Sequence, residues 1–192
     1  MNRESVVSDS TFYIAFLDKE EINDPSTLIK FLTAYTFSAG KLIIKEIQEK
    51  HSKIINDLGI KTFIQIEDEY DYAALLSPIG DRVFQKGEYE AIAIAYTKLQ
   101  ESILHSLILD DKKARSWLEK NIPTLLDFLK FSTRFIVDAC IVEEKIEKEE
   151  VLKVLQKIKT ATMRGAKPFN LTQKNLNIIE QLIREVENFV KN

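Results

Sequence analysis

Carboxylates stand at positions in this chain from which folding could gather them. Asp9 follows directly on the apolar pair Val6-Val7, and Asp110-Asp111 follow directly on Leu107-Ile108-Leu109. Acids placed immediately after two strands collect at one edge of a parallel sheet. That edge, beyond the strand carboxyl ends, is where open α/β folds bind their ligands. Glu88 opens a helical segment in which Ala91, Ile92, Ala95 and Leu99 recur at helical spacing, so it lies on the apolar stripe. An inward glutamate is costly unless it is paired or holds a cation. Glu90, offset around the same helix, reads as a solvated residue. Glu46 sits among Ile43, Ile44 and Ile47 near the start of another helix, where Glu49 competes for the same role.

Oxygen donors without accompanying Cys or His ligands suit hard ions, Mg2+ or Mn2+. Each acid also has a plainer reading. Aspartate is a common helix N-cap, so Asp9 and Asp111 could each cap the helix that follows, and Glu88 could be favoured by the positive helix N-terminus.

The rest of the chain narrows the chemistry. His51 and His105 lack zinc-ligand spacing and read as structural. Cys140, flanked by Ala139, Ile141 and Val142, reads as a buried core thiol. There is no phosphate-binding P-loop, glycine-rich dinucleotide fingerprint or nucleophile elbow, which removes the commonest kinase, dehydrogenase and hydrolase classes. The net charge of −3 gives no broad basic footprint for nucleic acid. A bound cation can instead supply the positive charge that a phosphate needs. No apolar run resembles a signal peptide or a membrane span, so a cytoplasmic protein is expected.

The elements that must position these residues alternate at first. Strands are expected at Val6-Val7, 37–40, 61–67 and 104–109. Helices are expected from a Thr11 or Ser10 cap to Leu17, from Asp24-Pro25-Ser26 onward, and over 42–58 with Gly59 as C-cap. Further helices are expected over 87–100 and 112–120, with a helical turn near residues 73–76 in the acidic connection 68–86. This alternation argues for a parallel sheet covered on both faces. Beyond Pro123 the pattern turns helical, over 125–142, 148–161 and 172–190, and the charge run 143–150 reads as a solvated helix start.

With those residues in place, three segments resemble the PIN-domain family, in its branch of toxin-type ribonucleases of bacteria and archaea. They are Val6-Val7-Ser8-Asp9-Ser10-Thr11, Gly87-Glu88-Tyr89-Glu90-Ala91-Ile92, and Leu107-Ile108-Leu109-Asp110-Asp111-Lys112-Lys113-Ala114-Arg115. Ile43-Ile44-Lys45-Glu46-Ile47 is similar to the family's second acidic position, without the proline that often precedes it. The resemblance implies a three-layer α/β/α PIN-like domain over residues 1–130, with a helical C-terminal extension over 131–192 packed on it. It also implies a Mg2+- or Mn2+-dependent endoribonuclease, with Asp9, Glu46, Glu88 and Asp111 as catalytic metal ligands and Asp110 beside them. Ser10, Thr11, Lys112 or Arg115 could contact phosphate, the plainer reading of Arg115 being a pair with a helix acid. RNA would be the substrate, with an antitoxin protein and a second copy of the chain as further partners. The alternative is a catalytically inactive PIN-like binding or scaffolding protein. The extension lies outside the family likeness and could cover the site edge, form a dimer surface or bind a cognate protein.

Overall fold

The computed structural model describes residues 4–67 and 87–190. Five parallel strands form one sheet, in the order β3-β2-β1-β4-β5. They are β1 (Ser5–Ser8), β2 (Thr36–Ala39), β3 (Ile64–Ile66), β4 (Leu104–Ile108) and β5 (Leu129–Lys130). Every residue of β1 is buried, as are Phe37, Ser38 and Ala39 of β2 and Ser106, Leu107 and Ile108 of β4. Successive strand residues point to opposite faces, so both faces of the sheet are covered, as a three-layer α/β/α arrangement requires.

Helices fill the intervals: α1 (Ser10–Leu17), α2 (Pro25–Ala34), α3 (Lys41–Asp57), α4 (Gly87–Gln100) and α5 (Lys112–Asn121). Local sequence accounts for several of their ends. Asp24 accepts from the Thr27 amide at 3.1 Å, with Pro25 in the first turn of α2. Gly59, at φ +59°, ends α3 in the left-handed conformation that glycine adopts without steric cost. The helical turn expected near residues 73–76 lies outside the described residues.

Two expectations needed correction. Residues 61–67 are not one strand: a 3-10 turn (Ile60–Phe63) precedes a strand of three residues. The helix expected over 125–142 is instead a 3-10 segment (Pro123–Phe128), then β5, then α6 (Ser132–Ile141). The apolar spacing of Leu125, Leu126, Phe128 and Leu129 imitates a helix stripe. Tertiary pairing prevails, because Leu129 and Lys130 sit in parallel register with Leu107 and Ile108 of β4.

Two more helices complete the chain, α7 (Lys148–Met163) and α8 (Leu176–Asn188). Residues beyond 130 share the sheet's core. Phe135 of α6 meets the rings of Phe12, Phe31, Phe37 and Tyr35 at centroid distances of 5.9, 6.0, 6.0 and 5.0 Å. Phe169 stacks on Phe12 at 6.1 Å. Lys153 and Lys157 of α7 each reach the buried Asp24 carboxylate at 2.9 Å. The core therefore runs without a break across residue 130. Cys140 is buried within it. Among the described residues no helix is long and apolar enough to cross a membrane.

Candidate functional site

The chain leaves β1 toward β2 on one side and pairs with β4 on the other, so strand order reverses between β1 and β4. At such a switch point the loops diverge and leave a crevice at the carboxyl edge. Asp9 and Asp110 both stand there. Ser8 is in register with Ile108, and the Asp9 amide donates to the Ile108 carbonyl at 3.3 Å.

Both aspartates are almost fully buried, Asp9 at 1% exposure and Asp110 at 5%. Asp9 caps α1, its Oδ1 accepting from the Thr11 amide at 3.0 Å, in place of the Ser10 or Thr11 cap expected. Its Oδ2 has no hydrogen-bond partner among the described residues. Asp110 is held by one residue: the Ser132 amide donates to Oδ1 at 3.0 Å and the Ser132 hydroxyl to Oδ2. Ser132 begins α6, so the N-terminus of that helix supports the carboxylate. The apolar spacing over 125–142 masks this helix start, for which Ser132-Thr133 is the local sequence signal.

Asp111 turns away from its neighbour. Its side chain accepts from the Ala114 amide at 2.7 Å and caps α5. Consecutive residues of an extended chain point in opposite directions, so only one of the pair can face Asp9. Asp111 stays near the site's rim, since with Glu88 it raises the Tyr89 phenol, after burial as the larger cause.

Glu88 lies in the first turn of α4, half-buried, and its charge is felt by Asp9. Its neighbours lock α4 to α3 from both sides. Glu46 of α3 accepts the Gly87 amide at 3.0 Å, and also the Ser10 hydroxyl at 2.5 Å. In return, Glu90 of α4 accepts the Leu42 and Ile43 amides at 3.0 and 2.7 Å. Each helix thus caps the other with a carboxylate reaching across. Glycines make the approach possible. A Cβ at Gly87 would lie 2.7 Å from Glu46 Oε2, and one at Gly40 would collide with the Glu90 carboxylate. Glu90 is therefore not a solvated residue but 1% exposed. The competing Glu49 is exposed and faces Lys45 at 3.8 Å.

Arg115 braces the edge. Its Nη1 donates to the Leu109 and Lys130 carbonyls at 2.8 and 3.2 Å, tying the ends of β4 and β5 together. Its guanidinium carbon lies 3.7 Å from the Phe131 ring centroid. The histidines are elsewhere: His105 faces Glu143 at 3.1 Å and His51 faces Asp18 at 3.8 Å. Glu143, read as part of a solvated run, belongs to a network with His105, Lys130 and Lys145.

The electrostatics follow from burial of like charges. Burial, joined by the charges of Asp110 and Glu88, pushes the Asp9 carboxyl well above its ordinary range, against the opposing amides of Thr11 and Asp110. Burial raises Asp110 to about 6 even though Ser132 and Arg115 favour its charged form. Burial and the Asp9 charge push the Tyr13 phenol upward, so it stays protonated. Three crowded carboxylates with a buried, unpartnered oxygen and all-oxygen donor chemistry suit a hard divalent cation. Among the described residues no three His, Cys, Asp or Glu side chains are arranged to hold one ion together as they stand.

Comparisons with models of protein families, with curated proteins and with solved structures gave no significant match.

Proposed function

We propose that the chain is a PIN-like, Mg2+- or Mn2+-dependent phosphodiesterase that hydrolyses RNA. One observation carries the reading: Asp9 and Asp110 are buried side by side at the sheet's switch point, within the field of Glu88, with both aspartyl carboxyls driven upward. A cation beside buried acids in that state favours their charged form.

Asp9, Glu88 and Asp110 would hold the ion. A bound divalent ion lowers the pKa of a water for in-line attack and offsets charge on the phosphate. The chain's own contribution is placement. Ser132 fixes both Asp110 oxygens, and the Thr11 amide fixes Asp9 so that Oδ2 faces inward. The reciprocal caps of Glu46 and Glu90 set the start of α4 and with it Glu88. The exposed Lys112 and Lys113, in the first turn of α5, would meet the phosphate backbone. The toxin half of a toxin–antitoxin pair is the physiological setting the family resemblance offers, with an antitoxin or a second copy as protein partner.

A second reading has its own support. Asp9 and Asp111 each cap a helix, and both Glu46 oxygens are hydrogen-bonded, as in a PIN-like binding or scaffolding module without chemistry. RNA cleavage in Mn2+ by Asp9→Asn, Asp110→Asn and Asp111→Asn variants separates the two. A metal-dependent nuclease loses activity in the first two, by about 100-fold or more. Undiminished cleavage in both removes the catalytic assignment, and no cleavage by the unaltered chain favours the module.

A further inference from the structure

Phe131 occupies a position that local structure does not explain. It is the N-cap of α6, where Ser, Thr, Asp and Asn are preferred, and it makes no side-chain cap. The residue is 45% exposed although large apolar side chains ordinarily favour the core. In the chain it stands between Lys130, whose carbonyl Arg115 holds, and Ser132, which grips Asp110.

The ring is also fixed. The Arg115 guanidinium packs on it at 3.7 Å and is itself anchored by two backbone carbonyls, so the ring is backed by an ordered cation. A flat apolar surface with a cation behind it, one residue from the Ser132 that holds Asp110, has the chemistry of a stacking platform for a base beside an anionic backbone.

We propose that Phe131 is a base platform: an unpaired nucleobase adjoining the reacting phosphodiester stacks on the ring face opposite Arg115. The inference rests on the phosphodiesterase reading of Asp9, Glu88 and Asp110, and it makes single strands the substrate, because a base within a duplex has no free face. Stacking reads the π-face, so sequence preference at this position is weak.

The test compares the unaltered chain with Phe131→Ala, Phe131→Leu and Phe131→Trp in Mn2+. The probes are a single-stranded RNA, its duplex, and strands carrying one abasic nucleotide at successive positions. Phe131→Ala and Phe131→Leu are expected to weaken kcat/KM on the single strand by roughly 10- to 100-fold, mostly through KM, and Phe131→Trp to retain it. Leucine keeps apolar bulk and lacks the π-face, so it separates stacking from packing. At one abasic position the alanine penalty should vanish, because the partner base is gone. Equal activity of Phe131→Ala and the unaltered chain overturns the platform while leaving the nuclease reading standing. So does a penalty that persists at every abasic position. Failure of the unaltered chain to bind or cut any strand overturns both.

Discussion

Replacing Asp110 by asparagine should make the metal-free protein more stable, and the gain should depend on pH. The amide is isosteric and keeps both contacts: its oxygen accepts from the Ser132 amide, and its NH2 donates to the Ser132 hydroxyl, now acting as acceptor. What it removes is a buried charge. The Asp110 carboxyl titrates at about 6 in the folded chain against an ordinary 3.8, chiefly because burial disfavours the ion. At about 1.36 kcal/mol per tenfold change in proton affinity, that displacement is worth on the order of 3 kcal/mol.

The sign follows from proton counting. Between 3.8 and 6 the folded state binds more protons than the unfolded state, so wild-type stability falls as pH rises through that window. Below it both states are protonated and asparagine gains nothing. Above it the full penalty is present, and at pH 5 about half of it. Urea unfolding of both proteins at pH 5, 6.5 and 8, without metal, measures the gap. It should widen with pH to roughly 3 kcal/mol, or a rise of about 6–12 °C in Tm for a chain of this size. Adding millimolar Mn2+ should then stabilise the wild type and leave the variant little changed. A gap that is flat with pH, or a variant less stable at pH 8, refutes the reasoning.

Two further outcomes follow from the packing. Glu90→Ala strands two amides at the start of α3 and should cost about 2–4 kcal/mol, while Gly40→Ala should cost about 1–3 kcal/mol by pressing on the same carboxylate. Because they contend for one space, the double variant should lose less than the two losses together in denaturant unfolding, and strict additivity would refute the cap. Truncation at residue 130 removes Phe135 and Phe169 from the cluster around Phe12, and should give a chain without a cooperative thermal transition by circular dichroism. A cooperative melt of that fragment would show that the C-terminal helices are an appendage.

Much of this arrangement was legible in residue order alone. Strands ending in Asp9 and Asp110-Asp111, with helical periods between them, dictate a parallel sheet with acids at one edge, and the strands and helices alternate accordingly. The parts that were not legible depend on partners distant in sequence. β5 is two residues long and exists because β4 offers an open edge, so no local pattern announces it. Glu90 is polar, two residues from Glu88 and off the apolar stripe, and only the approach of α3 explains its burial. Ser132 acts on Asp110 across 22 residues, a pairing made when α6 docks against the sheet.

The two aspartate positions solve one problem in different ways. A chain leaving a strand into a helix needs an acceptor for the first helical amides, and the proposed cation site at the same edge would need a carboxylate facing the neighbouring strand. After β1 a single residue meets both needs, since Asp9 caps with Oδ1 and leaves Oδ2 inward. After β4 the needs are divided, Asp110 facing Asp9 and Asp111 capping α5. The division explains why a doubled aspartate follows β4 while one suffices after β1. It also separates the consequences of substitution. Changing Asp111 should weaken a helix start by about 1 kcal/mol and leave the charge cluster intact. Changing Asp9 must disturb the α1 cap and the cluster together, so its effect on chemistry is readable only beside that of Asp110→Asn, which keeps the contacts to Ser132 at the start of α6.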